Sequence, residues 1–361
     1  MPGKPIIVVE DDPFTRLIQI VLDPGTPAER HAAFADFMSV DEPDFAGWCE
    51  RVRAGSPGLY PADVRLVTSA DEMRAQLGDA CALVVEGFRV GPEELSAGPK
   101  LRAVQKYGAI LRNIDTAACA ARGVKVLPLR RRANVSCAEQ TFALILALAR
   151  KLDCLIGVVT ADRIAAAGYT LKPFDRRHTP GANFARVSGL RPLHGSTVGI
   201  IGLGEIGREL ALRAAAFEMR VLYWQRTRLS ESEERALKAS YAPLPSLLAE
   251  SDWITPQLPR TPATRGLIGR DELAQVKPGA CIVNVSDAAI VDRGALIEAL
   301  RSGRVGGFAL DPLYQEPMAE DDELLAIDNV ILVPHMGGSP RSNGLNDLEE
   351  LITGLAREVT S

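Results

Sequence analysis

The sequence predicts an α/β fold: doubly wound parallel sheets with helices on both faces, arranged in two domains. Three observations carry this reading. Short apolar runs of strand length alternate with helical stretches along most of the chain, the βαβ rhythm of a parallel sheet covered on both sides. At 361 residues the chain exceeds one typical core, so two domains are expected. The stretch Ser196-Thr-Val-Gly-Ile-Ile-Gly-Leu-Gly-Glu-Ile-Gly-Arg208 sets a glycine-rich turn between a buried strand and an apolar-faced helix.

Taken in order, Pro5 to Glu10 reads as the first buried strand, with a helix at 13–22. Residues 23–62 are longer and more irregular than a βα connection needs. They carry Pro24, Pro27, Pro43, Pro57 and Pro61 around helices at 28–38 and 45–53, and read as an insertion, either a lid or an oligomer contact. Val64 to Thr68, Ala82 to Val85 and Ala103 to Lys106 are further strands, alternating with helices at 70–77, 92–96 and 115–122. Val124 to Leu127 is the next strand. After Pro128 and the triplet Arg130, Arg131, Arg132, a helix at 136–150 is apolar nearly all round. It must therefore be buried on most sides, by the sheet and by a partner subunit. Residues 155–194, with Pro173, Pro180, Gly181 and Pro192, form a second irregular insertion. Beyond the glycine-rich stretch come strands at 220–224, 253–254, 281–285, 306–311 and 330–333, and helices at 230–238 and 293–302. The tail from 345 is helical and is expected to fold back on the first domain.

Composition narrows the function classes. The hydrophobic share of 47%, the charged share of 24% and the net charge of −5 are ordinary for a globular protein. They give no electrostatic case for nucleic acid or an anionic membrane. No apolar run approaches the ~20 residues of a membrane span, and the N-terminus lacks a signal peptide's apolar segment. Six cysteines, at 49, 81, 119, 137, 154 and 281, are scattered without metal-ligand spacing. A reduced, cytoplasmic protein without a metal site is expected.

Gly202, Gly204 and Gly207 give GxGxxG. One glycine makes the tight turn, the second lets backbone approach a pyrophosphate, and the third lets helix and strand pack closely. With Glu205 and Ile206 they lead into a helix, Arg208 to Phe217, whose N-terminal N–H groups and dipole suit phosphate. An acidic residue about 20 positions on normally holds the ribose 2′-OH of NAD. Gln225 stands there instead, followed by Arg226 and Arg228. With no carboxylate to repel a 2′-phosphate, NADP is favoured over NAD, though glutamine also bonds a bare ribose.

From about 100 to 340 the chain carries an ordered series of motifs. They are Lys106-Tyr-Gly-Ala-Ile-Leu-Arg-Asn-Ile-Asp115, Ala138-Glu139, the glycine turn, Thr261-Pro-Ala-Thr-Arg-Gly-Leu-Ile268 and Lys277-Pro-Gly-Ala-Cys-Ile-Val-Asn284, then Val291-Asp292, Ala309-Leu-Asp311, Gln315-Glu-Pro317 and Pro334-His-Met-Gly-Gly338. In these the chain resembles the D-isomer-specific 2-hydroxyacid dehydrogenases, which include the phosphoglycerate, glyoxylate/hydroxypyruvate, formate and phosphite dehydrogenases. The resemblance implies a discontinuous, flavodoxin-like substrate domain (1–130 with 340–361) and a Rossmann dinucleotide domain (131–339). It places the active site in their cleft and the 136–150 helix in a homodimer interface. It implies hydride transfer between a nicotinamide and a small hydroxy or oxo compound. His335 is then the acid/base, a role imidazole suits because it titrates near neutrality. Glu316 corresponds to the glutamate that orients it. Asp311 is expected beside the nicotinamide. Further cofactor contacts are expected at Leu258, Pro259, Thr264, Val285, Ser286, Gly337 and Gly338, besides His335 itself. Substrate contacts are expected at Gly108, Ala109 and Ile110.

One departure bears on the chemistry. Where the family has Asn-Thr-Ser-Arg-Gly-Gly, with the arginine gripping the substrate carboxylate, this chain has Asn284-Val-Ser-Asp-Ala-Ala289. Asp287 reverses the charge, and a carboxylate there would repel the usual substrate. The substrate loop also departs: Ile110 replaces a glycine, Arg112 replaces an acid, and Gln257-Leu-Pro259 replaces His-x-Pro. Three readings stay open. Positive charge has moved to Arg112 or to the 130–132 triplet, with Arg132 the leading candidate; or the substrate lacks the usual carboxylate and Asp287 binds a cation or polyol; or the protein is a low-turnover, dinucleotide-binding regulator of the corepressor type. Retention of His335 and Glu316 argues against the last.

Overall fold

The computed structural model describes residues 4–360. Two compact units account for its elements: the chain as far as Ser136 together with the segment from Gly338 on, and Cys137–Gly337. The chain leaves the first unit within a single continuous helix, Arg132–Arg150.

The first unit holds five strands: β1 (Ile6–Glu10), β2 (Asp63–Val67), β3 (Ala82–Val85), β4 (Ala103–Lys106) and β5 (Lys125–Leu127). All pair in parallel, in the order β2-β1-β3-β4-β5. Successive side chains feed opposite faces, as the period of a strand requires. Ile7, Val9, Ala82 and Val84 enter one core, and Val8, Leu83, Val85 and Val104 the other. Residues 23–62 are a core layer in their own right. Their helices Ala28–Met38 and Phe45–Ala54 bury Met38, Phe45, Trp48, Cys49 and Val52 in the core that also holds Ile7 and Val9. The helix Ser342–Thr360 joins the same core through Leu345, Leu348, Leu351, Ile352 and Leu355.

The second unit holds seven parallel strands: β6 (Thr197–Ile201), β7 (Arg220–Trp224), β8 (Ala239–Tyr241), β9 (Trp253–Pro256), β10 (Ala280–Asn284), β11 (Val305–Leu310) and β12 (Val330–Leu332). Their order is β12-β11-β10-β9-β6-β7-β8. The direction of winding reverses between β6 and β9, where Ile201 pairs with Pro256. In open parallel sheets such a reversal leaves a crevice at the carboxyl ends of the strands, where ligands bind.

Some expectations need correction. The helix expected from Ser136 begins at Arg132. The buried Asp347 accepts the backbone N–H of Arg132 at 2.9 Å, a capping interaction from 215 residues away that local sequence cannot reveal. The helix after the glycine turn begins at Glu205 and not at 208. Edge strand β8 and the helices Leu244–Glu250 and Arg270–Gln275 escape a periodicity reading because each is at most two turns long or three residues wide. Of residues 155–194, only Ala161–Ala166 forms a further helix of its own.

Candidate active site

The glycine turn sits at the reversal point of the second sheet. Gly202 has φ +100, and a Cβ there would lie 2.5 Å from the carbonyl oxygen of Gln257. Only glycine lets the two loops cross so closely. Gly207 is equally constrained, since its Cβ would meet the Gly202 carbonyl oxygen at 2.4 Å. Gly204 differs: a Cβ there meets no protein atom within 4 Å. It faces open space as N-cap of the helix Glu205–Ala216, whose first turn has no side-chain cap. A helix start without a side-chain cap, reached across a bare backbone, is a fit cradle for a dinucleotide pyrophosphate.

Gln225 ends β7 beside this turn. Its Oε1 accepts the Leu203 N–H at 3.3 Å, and its Nε2 donates to the Thr227 carbonyl at 2.6 Å. The two following arginines separate clearly. Arg228 is bound to both oxygens of Glu234 at 2.8 and 2.9 Å. Arg226 is exposed and has no hydrogen-bond or ion-pair partner among the described residues.

At the same edge, β12 leads into His335, whose φ is +53. A β-carbon-bearing residue adopts this left-handed conformation only where its surroundings hold it there. Here its N–H donates to the Val333 carbonyl at 2.9 Å and its ring Nδ1 lies 3.0 Å from Glu316 Oε1. Glu316 also accepts the Leu313 N–H at 2.9 Å. The hydrogen bond from His335, and then that from Leu313, holds the Glu316 carboxyl below its ordinary range. With Nδ1 engaged, the imidazole presents Nε2 as the exchangeable position. Asp311 is buried behind it. Its carboxylate accepts the N–H of Met336 and of Gly337, both at 2.9 Å, and the Gln140 amide at 3.3 Å. It thus shapes the turn that carries His335. Gly337 lies close against Val285 and Asp311, and Gly338 belongs to the other unit.

The loop after β10 is braced from beneath. Buried Asn284 donates to the Asp287 carbonyl and accepts from Ser286 N–H, both at 2.9 Å, and the Ser286 hydroxyl reaches the Pro256 carbonyl at 3.0 Å. Asp287 caps the turn Ala288–Ile290 by accepting the Ala289 N–H at 2.9 Å. Its other oxygen lies 3.0 Å from Arg260 Nε, an arginine that sequence reasoning missed. Thr264 closes the loop after β9 onto the Pro259 carbonyl at 2.7 Å, with Leu258 packed at Gly202.

Residues 142–337 match the family model described as "D-isomer specific 2-hydroxyacid dehydrogenase, NAD binding domain". The chain belongs to this family. It is 37% identical to a glyoxylate reductase of Pyrococcus horikoshii over 70% of this chain and 71% of that one. It is 30% identical to glyoxylate/hydroxypyruvate reductase B of Yersinia pseudotuberculosis over 94% and 95%. The fold is similar to that of Rhodotorula graminis D-mandelate dehydrogenase, with a TM-score of 0.56 at 22% identity, covering 98% and 93% of the two chains. As a D-isomer-specific 2-hydroxyacid dehydrogenase the chain is an oxidoreductase with an NAD-binding domain of Rossmann type, and the glycine cradle lies within the matched segment. Among the described residues no cluster of His, Cys, Asp and Glu could hold a metal, and no helix is long and apolar enough to cross a membrane.

The remaining residues singled out in the sequence lie in the first unit. Gly108, Ala109 and Ile110 follow β4, and the Gly108 carbonyl accepts the Leu129 N–H at 2.8 Å. Arg112 is exposed. Arg132 is engaged as a clamp: its guanidinium bonds Asp347 at 2.9 Å and Glu350 at 2.8 Å, so it holds the last helix and is withdrawn as the leading substrate contact. Arg131 stacks 4.0 Å over the Tyr107 ring and pairs with Glu86 at 2.9 Å. Burial raises the Glu86 carboxyl above its ordinary value despite that arginine.

Proposed function

We propose that this chain interconverts a small 2-oxo acid and its 2-hydroxy acid, with His335 as the general acid and base. The nicotinamide cofactor supplies the hydride when bound. Gly202, Gly204 and Gly207, with Glu205 and Ile206, would hold its pyrophosphate. Gln225 and Arg226 would hold the adenosine ribose, and Leu258, Pro259, Thr264, Val285, Ser286 and Gly337 would line the nicotinamide half. In reduction, His335 gives its proton to the carbonyl oxygen. Glu316, ionised at neutral pH, fixes the ring and steadies the imidazolium beforehand. The observation that carries this reading is the His335–Glu316 pair at 3.0 Å, at the carboxyl end of the sheet that also bears the glycine cradle. The substrate domain in this reading is 1–130 with 340–361, which falls within the first unit.

The free Arg226 favours NADP over NAD. The six free cysteines favour a reducing compartment, the cytoplasm, and the 136–150 helix is the proposed homodimer contact. Turnover of glyoxylate, hydroxypyruvate and larger 2-oxo acids with NADPH and NADH tests the reading directly. His335→Gln is expected to lower kcat by about 10²–10⁴-fold, a far larger change than in dinucleotide binding followed by nicotinamide fluorescence. Loss of less than about threefold overturns the assignment. Tight dinucleotide binding without turnover across the panel would mark a regulator instead.

A further inference from the structure

A cavity of about 330 Å³ opens between the loops after β9 and β10, lined by Arg260, Thr261, Thr264, Arg265, Asp287 and Ile290 among others. Its charge is unbalanced: two guanidinium groups face one carboxylate. Its size suits a small organic acid. The position ties it to the acid/base pair. Val285, two residues before Asp287, lies against Gly337, two residues after His335. On the far side of the same segment, the hydroxyl of Tyr314, two residues before Glu316, donates to the Val291 carbonyl at 2.9 Å.

We propose that Arg260 is the residue that binds the substrate carboxylate, and that Asp287 is its positioning residue. This rests on the 2-oxo acid reading of the site. Asp287 is itself immobilised, one oxygen accepting the Ala289 N–H at 2.9 Å and its backbone carbonyl accepting from buried Asn284. The other oxygen lies 3.0 Å from Nε of Arg260. A guanidinium held through Nε keeps both Nη groups available, and those of Arg260 make no hydrogen bond among the described residues. That leaves a planar fork whose orientation is set by the carboxylate behind it, the geometry that receives a second carboxylate in two parallel bonds. Asp287 therefore does not repel an anion in this site: it is neutralised by Arg260, and Arg265 keeps the cavity cationic. In the first unit, Arg131 and Arg132 are engaged with Glu86, Asp347 and Glu350.

The test is steady-state kinetics on the full chain with glyoxylate or hydroxypyruvate, alongside NADH and NADPH titrations. Arg260→Gln is expected to raise KM for the acid by about 10–100-fold, with kcat changed less than threefold and dinucleotide Kd unmoved. Because this variant also uncovers Asp287, Arg260→Gln/Asp287→Asn is measured beside it. A KM that stays raised in the double variant supports a direct grip by Arg260. A KM restored to the parental value shows that Arg260 only masks Asp287, and overturns the proposal, as does an unchanged KM in Arg260→Gln. Asp287→Asn alone is expected to raise KM by a smaller factor, about threefold to tenfold, through a loosened fork. A parent chain that turns over no 2-oxo acid fails the functional reading itself, and is told apart from failure at Arg260 by that blank alone.

Discussion

At the scale of single residues, the three glycines of the turn do different work, and substitution can separate them. A Cβ on Gly207 runs into the Gly202 backbone at 2.4 Å, whereas one on Gly204 meets nothing within 4 Å. Gly207→Ala should therefore destabilise the unit by roughly 1–3 kcal/mol, lowering Tm by about 2–4 °C for each kcal/mol. Gly204→Ala should melt with the parent yet raise the Kd of either dinucleotide about tenfold or more, since the methyl stands where phosphate must approach. Parental affinity in Gly204→Ala would show that no phosphate passes there. The arginines after β7 separate in the same way. Arg228 is committed to Glu234 at 2.8 Å, so the 2′-phosphate falls to exposed Arg226. Arg226→Ala should weaken NADPH about tenfold, the weight of one charge-assisted contact, and leave NADH unchanged. Equal effects on both cofactors would remove the case for NADP.

At the scale of elements, the helix Glu205–Ala216 must hold its N-terminus at the crevice, and an ion pair fixes it laterally. Arg208 bonds Glu233 of the helix Glu231–Leu237 at 2.6 Å. Chiefly through Arg208, and then through Ser230, the Glu233 carboxyl is pulled from an ordinary 4.5 to about 2. A depressed carboxyl contributes stability that is complete above its unfolded value and lost as pH falls through its folded value. Glu233→Gln should thus melt below the parent at pH 7, and the gap should close as pH falls from 4.5 toward about 2. A gap independent of pH would assign the loss to packing. The elements that frame this crevice were legible in sequence because their signals are local: an apolar run, a glycine turn and a helix. Arg260 was not, since one exposed arginine in Pro259-Arg260-Thr261 carries no periodicity, and only the fold brings it to Asp287. Arg132 was misread for the same reason. Its partners Asp347 and Glu350 lie 215 and 218 residues away, so a clamp looked like an open cation.

At the scale of the whole molecule, the sequence rhythm anticipated two parallel sheets, and both are present, the second within the segment that matches the family's NAD-binding domain. The segment beyond the long helix Arg132–Arg150 is different in kind. Leu152 is 43% exposed, Ile156 80% and Val159 67%, and Leu171 and Phe184 are also exposed. These are five of the twelve exposed large hydrophobic residues among those described, all drawn from one short stretch of chain. Scattered apolar residues on a surface need no explanation, but a concentration of them marks a surface that is covered in use. A second copy of the chain is the occupant proposed here, because the helix that leads into this stretch carries apolar residues on nearly all sides. The pair Ile156→Asp/Val159→Asp should then shift sedimentation from dimer to monomer at micromolar concentration. Neither residue contacts the glycine cradle or the His335–Glu316 pair, so dinucleotide affinity in the monomer should hold within about threefold of the parent. A parent that sediments as a monomer, or a variant that remains dimeric, would place the interface elsewhere.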